Sequence, residues 1–157
     1  MGKINLVRID NRLIHGQVAT NWLRNYDLNI CVVVNDKVAE DELQKNLLSM
    51  AVGGFMPVRF LSVEKASEIL KNADPKRKIC LVLENPIDAL RLIENGIQIP
   101  SINIGNLHMS DNKEKLFKTV YVDSQEKEAI KKLIDLGIEV EYRLLPGDQS
   151  VSFKTVL

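Results

Sequence analysis

Ile79-Cys80-Leu81-Val82-Leu83-Glu84-Asn85-Pro86-Ile87-Asp88, running on to Gly96, is the stretch on which the architecture turns. Five consecutive apolar residues suit a strand covered on both faces, as strands are in parallel sheets. Asn85 then offers a side-chain cap and Pro86 takes the first helical position, where its missing N–H costs nothing. Gly96 marks the stop. A buried strand that passes directly into a capped helix is half of a βαβ unit.

The same alternation extends in both directions. Residues 4–9, 30–34, 58–61, 102–104 and 120–122 are further short runs rich in Ile and Val, and read as strands. Residues 17–25 place Val18, Trp22 and Leu23 on one helical stripe. Residues 38–50 do the same with Leu43, Leu47 and Leu48, and carry Glu40, Asp41 and Glu42 in the first turn, where the helix dipole favours anions. A helix over 63–72 stops before Asp74-Pro75. Another opens at Asp123-Ser124, turns Ile130, Leu133 and Ile134 inward and closes at Gly137. Residues 139–143 alternate charged and apolar side chains, the pattern of an edge strand. The expected fold is α/β: a doubly wound, open, mostly parallel sheet with helices on both faces and an edge strand near the C-terminus. No repeat or linker interrupts residues 1–157, so one domain is expected.

Composition narrows the function. The 157 residues are 45% hydrophobic and 27% charged, with 21 basic residues against 21 acidic ones. Zero formal charge supplies no footprint for nucleic acid. Cys31 and Cys80 each sit in an apolar run and read as core thiols, without the spacing of a disulfide framework or a metal site. No run approaches the ~20 apolar residues of a membrane span. The start of the chain lacks signal-peptide character. A cytoplasmic protein is expected.

Open α/β sheets bind ligands beyond the carboxyl ends of their strands, where crossovers diverge. There the chain offers residues 10–17, Asn35-Asp36, Glu84-Asn85 and Gly105-Asn106-Leu107-His108. The first segment carries the chemistry. Asp10 and Arg12 leave a strand two residues apart, and His15-Gly16 stand where a helix begins. Gly16 lets the backbone approach a ligand, helix-start amides attract phosphate oxygens, and Arg12 can grip them in a bidentate fork. An imidazole with an ordinary pKa of roughly 6.5 is largely neutral in the cytoplasm and can attack phosphorus. Together these are the parts of a transient phosphohistidine.

Asp10 would repel a phosphoryl group in direct contact, so it holds either Arg12 or the non-reacting ring nitrogen of His15. Gln17 either donates to the phosphoryl or caps the helix. Asn35, Asp36 and Asn106 are candidate phosphoryl or partner contacts on the same sheet edge. No Walker loop, dinucleotide glycine fingerprint, zinc spacing or Gly-x-Ser-x-Gly elbow is present. No metal or cofactor is expected. A non-catalytic phosphate- or nucleotide-binding sensor is the alternative from a different class.

The stretch Val7-Arg8-Ile9-Asp10-Asn11-Arg12-Leu13-Ile14-His15-Gly16-Gln17-Val18-Ala19-Thr20-Asn21-Trp22 resembles the IIB subunits of the mannose-family sugar phosphotransferase system. So do Val34-Asn35-Asp36-Lys37-Val38-Ala39, Asn85-Pro86, Ile102-Asn103-Ile104-Gly105-Asn106 and Val120-Tyr121-Val122-Asp123. The resemblance implies a protein-N(pi)-phosphohistidine–sugar phosphotransferase. Phosphate would pass from a phosphorylated IIA protein or domain to His15, and then to sugar held by the membrane IIC and IID subunits. The ultimate donor would be phosphoenolpyruvate, through enzyme I and HPr. It also implies a location on the inner face of the membrane through IIC and IID; a homo-oligomer is left open. Gly105-Asn106-Leu107-His108 resembles members serving N-acetylgalactosamine or galactosamine, with mannose, fructose and sorbose as the other sugars of the family. His108 either borders the phosphorylation site or is a solvated loop residue. The tail Leu145-Pro146-Gly147-Asp148 departs from the Val-Pro-Thr-Asp of relatives, so no tail contact to the phosphoryl is carried over.

Overall fold

The structure is a computed structural model that describes residues 2–16 and 18–157. Nine strands and four α-helices follow in order: β1 Lys3–Asp10, β2 Ile30–Val34, α1 Glu42–Val52, β3 Val58–Leu61, α2 Val63–Lys71, β4 Lys78–Leu83, α3 Pro86–Glu94, β5 Ser101–Asn106, β6 Glu114–Phe117, β7 Val120–Val122, α4 Ser124–Asp135, β8 Glu139–Tyr142 and β9 Val151–Ser152. Seven strands form one sheet in the order β3-β2-β4-β1-β5-β8-β9, parallel throughout except for the last pair. The doubly wound α/β expectation is borne out.

Side chains alternate between two cores, as a strand's period of two requires. Val7, Ile9, Val32, Val34, Leu81 and Leu83 pack beneath residues of α2, α3 and α4. Leu6, Cys31, Val33, Cys80 and Val82 pack on the other face against Ile14, Trp22, Leu48 and Val52. From β1 the chain crosses to β2 over this second face. From β4 it crosses to β5 through α3 on the first face. The two crossovers therefore diverge on either side of β1, and its carboxyl end is the switch point of the sheet.

The caps expected for α3 and α4 are present. Asn85 accepts from the Asp88 amide, and Asp123 and Glu126 form a reciprocal capping box. Elsewhere the structure corrects the sequence reading. The expected helix over 17–25 is a five-residue π-helical turn, Val18–Trp22. The expected helix over 38–50 is split: a 3-10 turn, Val38–Glu40, ends where Asp41 turns to extended backbone and caps α1. Leu43 and Leu47 lie on the exposed face of α1, and only Leu48 of that stripe is buried. Residues 120–122 pair with β6 in a separate two-stranded sheet. The strand at 139–142 is an inner one, because β9 pairs beside it and forms the C-terminal edge. Cys31 and Cys80 are fully buried and free. Among the described residues no helix is long and apolar enough to cross a membrane, and no group of three or more His, Cys, Asp or Glu side chains could hold a metal ion.

Candidate active site

Asp10 is the last residue of β1 and is fully buried. It closes a tight turn in which its carbonyl accepts from the Leu13 amide at 2.8 Å and its Oδ1 accepts from the Arg12 amide at 2.9 Å. Leu13 follows with φ 59°, a left-handed conformation that a leucine adopts only when its surroundings impose it. The imposing contacts are apolar. Leu13 and Ile14 are both buried in the second core and hold the loop down. The next residue, His15, is thereby left at the rim, with 21% of its side chain exposed.

Asp10 gathers the charged groups. Its Oδ2 lies 3.0 Å from His15 Nε2, and the Arg12 Nε and Nη2 donate to its two oxygens at 3.3 and 3.4 Å. Arg8 Nη2 lies 3.7 Å from Oδ2 on the buried side. Burial alone would raise the Asp10 pKa. Hydrogen bonds from His15, the Arg12 amide and the Arg12 guanidinium outweigh it, leaving the carboxyl below its ordinary value. An ionised carboxylate only accepts, so the ring nitrogen facing it, Nε2, is the one that donates, and Nδ1 is the nitrogen turned away from Asp10. The choice that the sequence left open resolves in both directions, since Asp10 holds Arg12 and the ring together. At the rim itself the exposed cation is Arg12, the kind of group that an incoming phosphoryl group requires.

The remaining candidates divide. Apart from its chain neighbours, a Cβ on Gly16 would meet no atom of the described residues within 4 Å. Gln17 lies outside the described residues. Asn106 pairs with Asp10 in the sheet, and its carbonyl accepts from the Asn11 amide at 3.0 Å. Exposed His108 touches this loop through a contact between its Nδ1 and Asn11 Nδ2. Asn35 and Asp36 carry hydrogen bonds within the fold. Asn35 accepts from the Lys37 and Val38 amides and donates to Glu84. Asp36 accepts from the Val63 amide and from Arg91. Leu145 and Asp148 close a turn on each other.

Sequence reasoning missed what lies behind Asp10. Arg8 is wholly buried, donates to Asn103 Oδ1 and to the Arg143 and Leu144 carbonyls, and stacks 4.5 Å from the Trp22 ring centroid. Room for it comes from Gly105, which lies between Ile104 and Asn106, where the pairing with β1 shifts register, and whose Cβ would collide with the guanidinium. Gly105→Ala is therefore expected to cost about 3 kcal/mol, by overpacking and by parting a buried charge from its acceptors, in a denaturant titration. An alanine variant as stable as wild type would contradict this packing.

The chain matches the sequence profile of the phosphotransferase-system sorbose subfamily IIB component over residues 4–157. It is 37% identical to N-acetylgalactosamine-specific phosphotransferase enzyme IIB component 2 of Escherichia coli K12, over all of both chains. It is 36% identical to the mannose-specific EIIAB component of the same organism, covering 98% of this chain and 48% of that one. The crystal structure of the N-acetylgalactosamine-specific IIB component 1 from Escherichia coli superposes with a TM-score of 0.91 at 36% identity, covering 94% of this chain and 97% of that one. With the switch-point site at the end of β1, these likenesses show that the chain belongs to the mannose-family IIB components of the sugar phosphotransferase system.

Proposed function

We propose that this IIB component accepts a phosphoryl group on Nδ1 of His15 from a phosphohistidine of a IIA protein or domain, and passes it to a sugar held by membrane IIC and IID subunits. The observation that carries the reading is the 3.0 Å contact between His15 Nε2 and an ionised, buried Asp10. It orients the ring and places the attacking lone pair on the other nitrogen. In the first step that lone pair forms the new N–P bond while the donor's N–P bond breaks, its electron pair returning to the donor ring. In the second, a sugar hydroxyl attacks phosphorus, the His15 N–P bond breaks, and the hydroxyl proton ends on His15.

Such transfers run through a loose transition state, so the protein's part is alignment and charge on the equatorial oxygens. Arg12 supports that reading, with 46% of its side chain exposed at the rim and its fork steadied by Asp10. The joining of IIA with the IIB-like half in the mannose EIIAB relative supports a IIA donor. For the sugar, the N-acetylgalactosamine relatives and the Gly105-Asn106-Leu107-His108 segment favour an amino sugar.

Incubation with labelled phosphoenolpyruvate, enzyme I, HPr and IIA is expected to add one acid-labile, base-stable phosphate per chain. Phosphate that binds and washes away without covalent retention would favour a sensor module instead. Arg12→Lys is expected to lower the single-turnover transfer rate by about 10²-fold with folding intact, since a point-like ammonium lacks the planar fork that can hold Asp10 and grip phosphoryl oxygens in fixed geometry. Unchanged kinetics would remove Arg12 from the transfer step.

A further inference from the structure

Three polar residues stand in register on the neighbouring strands β1, β5 and β8. Arg8 pairs with Asn103, and Asn103 with Glu141. All three are buried. Asn103 accepts from Arg8 and donates to Glu141 at 3.3 Å, and Glu141 in turn accepts from Arg143 at 2.7 Å. Arg143 stacks 5.2 Å from the Trp22 ring centroid and donates to Tyr26 and the Pro146 carbonyl. The phosphoryl relay proposed above uses none of these groups directly.

We propose that Arg8 is a positioning residue for phosphoryl transfer, acting through Asp10 to hold His15 in its Nε2–H form. The inference rests on the His15 relay and deepens it. A purely structural residue at this place is better apolar. The position lies over Trp22 on a face lined by Leu6, Val33 and Val82, and replacing buried ion pairs by apolar side chains is often neutral or stabilising. Arg8 bears the opposite cost. Its Nε is buried with no hydrogen-bond partner among the described residues, and burial pulls its pKa down to about 10, against the opposing pull of Asp10. That value still leaves it charged at neutral pH.

What the charge obtains is a fixed cation behind the carboxylate that holds the nucleophile. Arg12, the other cation on Asp10, is half exposed and faces the transfer. When Arg12 turns toward an arriving phosphoryl group, Arg8 is the partner that stays. The Arg143 and Leu144 carbonyls and Asn103 fix the guanidinium from the far side, and Trp22, whose Nε1 donates to the Leu144 carbonyl at 3.0 Å, covers it. The C-terminal segment is thereby tied to the reacting ring through a chain of named contacts: Arg143 and Leu144 carbonyls, Arg8, Asp10, His15.

The test combines the protonation of the His15 ring, read from ¹⁵N shifts of histidine-labelled protein, with single-turnover transfer from phosphorylated IIA. Arg8→Gln, folded by its amide spectrum, is expected to show mixed protonation of the two ring nitrogens and a rate lowered about 10- to 100-fold, by analogy with the loss when a group orienting a metal-bound histidine is removed. Arg8→Lys keeps the charge with one nitrogen in place of a fork, and is expected to fall between that variant and wild type in both readouts. Wild-type ring protonation and rate in a folded Arg8→Gln protein overturn the proposal. If the glutamine variant does not fold, the lysine variant decides alone: an altered ring and slower transfer support the proposal, and wild-type values overturn it. A wild-type chain that takes no phosphate on His15 sinks the relay, while the ring protonation still decides the role of Arg8.

Discussion

His15→Ala is expected to abolish covalent phosphate uptake, with no residual label above background and no loss of fold. The prediction rests on the absence of a substitute among the nucleophiles the structure places. Cys31 and Cys80 are fully buried in the second core, and the hydrogen bond that the Cys80 thiol shares with Cys31, together with burial, pushes that thiol well above its ordinary pKa. A thiol in that state is a poor nucleophile and meets no docking partner. His108 is exposed, but its Nδ1 is taken up by Asn11 and it lacks a carboxylate and a guanidinium of its own. Because His15 stands at the rim with its fold contacts carried by Leu13 and Ile14, truncating it removes little packing. A thermal melt unchanged within a few degrees, alongside lost labelling, is the expected result. Label retained in the alanine variant would move the acceptor elsewhere.

The second large effect is expected at Asp10. In Asp10→Asn, one oxygen becomes an NH₂ group, and neither orientation of the amide suits the site. Turned toward Oδ1, the NH₂ meets the Arg12 amide and Nε, which are both donors. Turned toward Oδ2, it meets His15 Nε2 and drives the ring to the Nδ1–H form, taking the lone pair from the attacking nitrogen. Wrong-tautomer variants of a carboxylate–histidine pair lose about 10⁴ in rate, and a loss of about 10³- to 10⁴-fold is expected in single-turnover transfer. Stability carries a matching signature. The folded Asp10 pKa lies below its unfolded value, so its contribution is present above the ordinary carboxylate range and is lost as pH falls through the folded pKa. Asp10→Asn is expected to flatten that part of the acid limb of a stability–pH curve. An equally steep limb in the variant would deny that Asp10 titrates as described.

How much of this was legible differs by residue. Asn85-Pro86, Asp123-Ser124 and the unbroken apolar runs announce their elements because caps and burial are local matters, and the α/β sheet follows from them. The Asp10, Arg12 and His15 cluster was legible for the same reason, being one turn of chain. What failed were readings that depend on tertiary context. Leu43 and Leu47 have helical spacing, yet the helix starts later, after Asp41, and turns them to the surface. Val18–Trp22 follow helix periodicity but close as a π turn, with the Leu23 amide donating to the Val18 carbonyl. Arg8 and Asn103 each interrupt an apolar run once, and Glu141 is one of the charged positions of an alternating run. That signal was present in the sequence, but only the strand order β1-β5-β8, unknowable from any one run, puts the three side by side. Asn35 and Asp36 stand after a strand as expected, and bond there to backbone amides and to Glu84 and Arg91, partners that only the fold reveals.

The most direct measurement is to phosphorylate the wild-type chain through enzyme I, HPr and IIA and determine by ³¹P and ¹⁵N spectroscopy which atom carries the phosphorus. Because an ionised Asp10 keeps the proton on Nε2, the expected product is phosphate on Nδ1 of His15. Phosphate on Nε2, or on any other residue, would contradict that geometry.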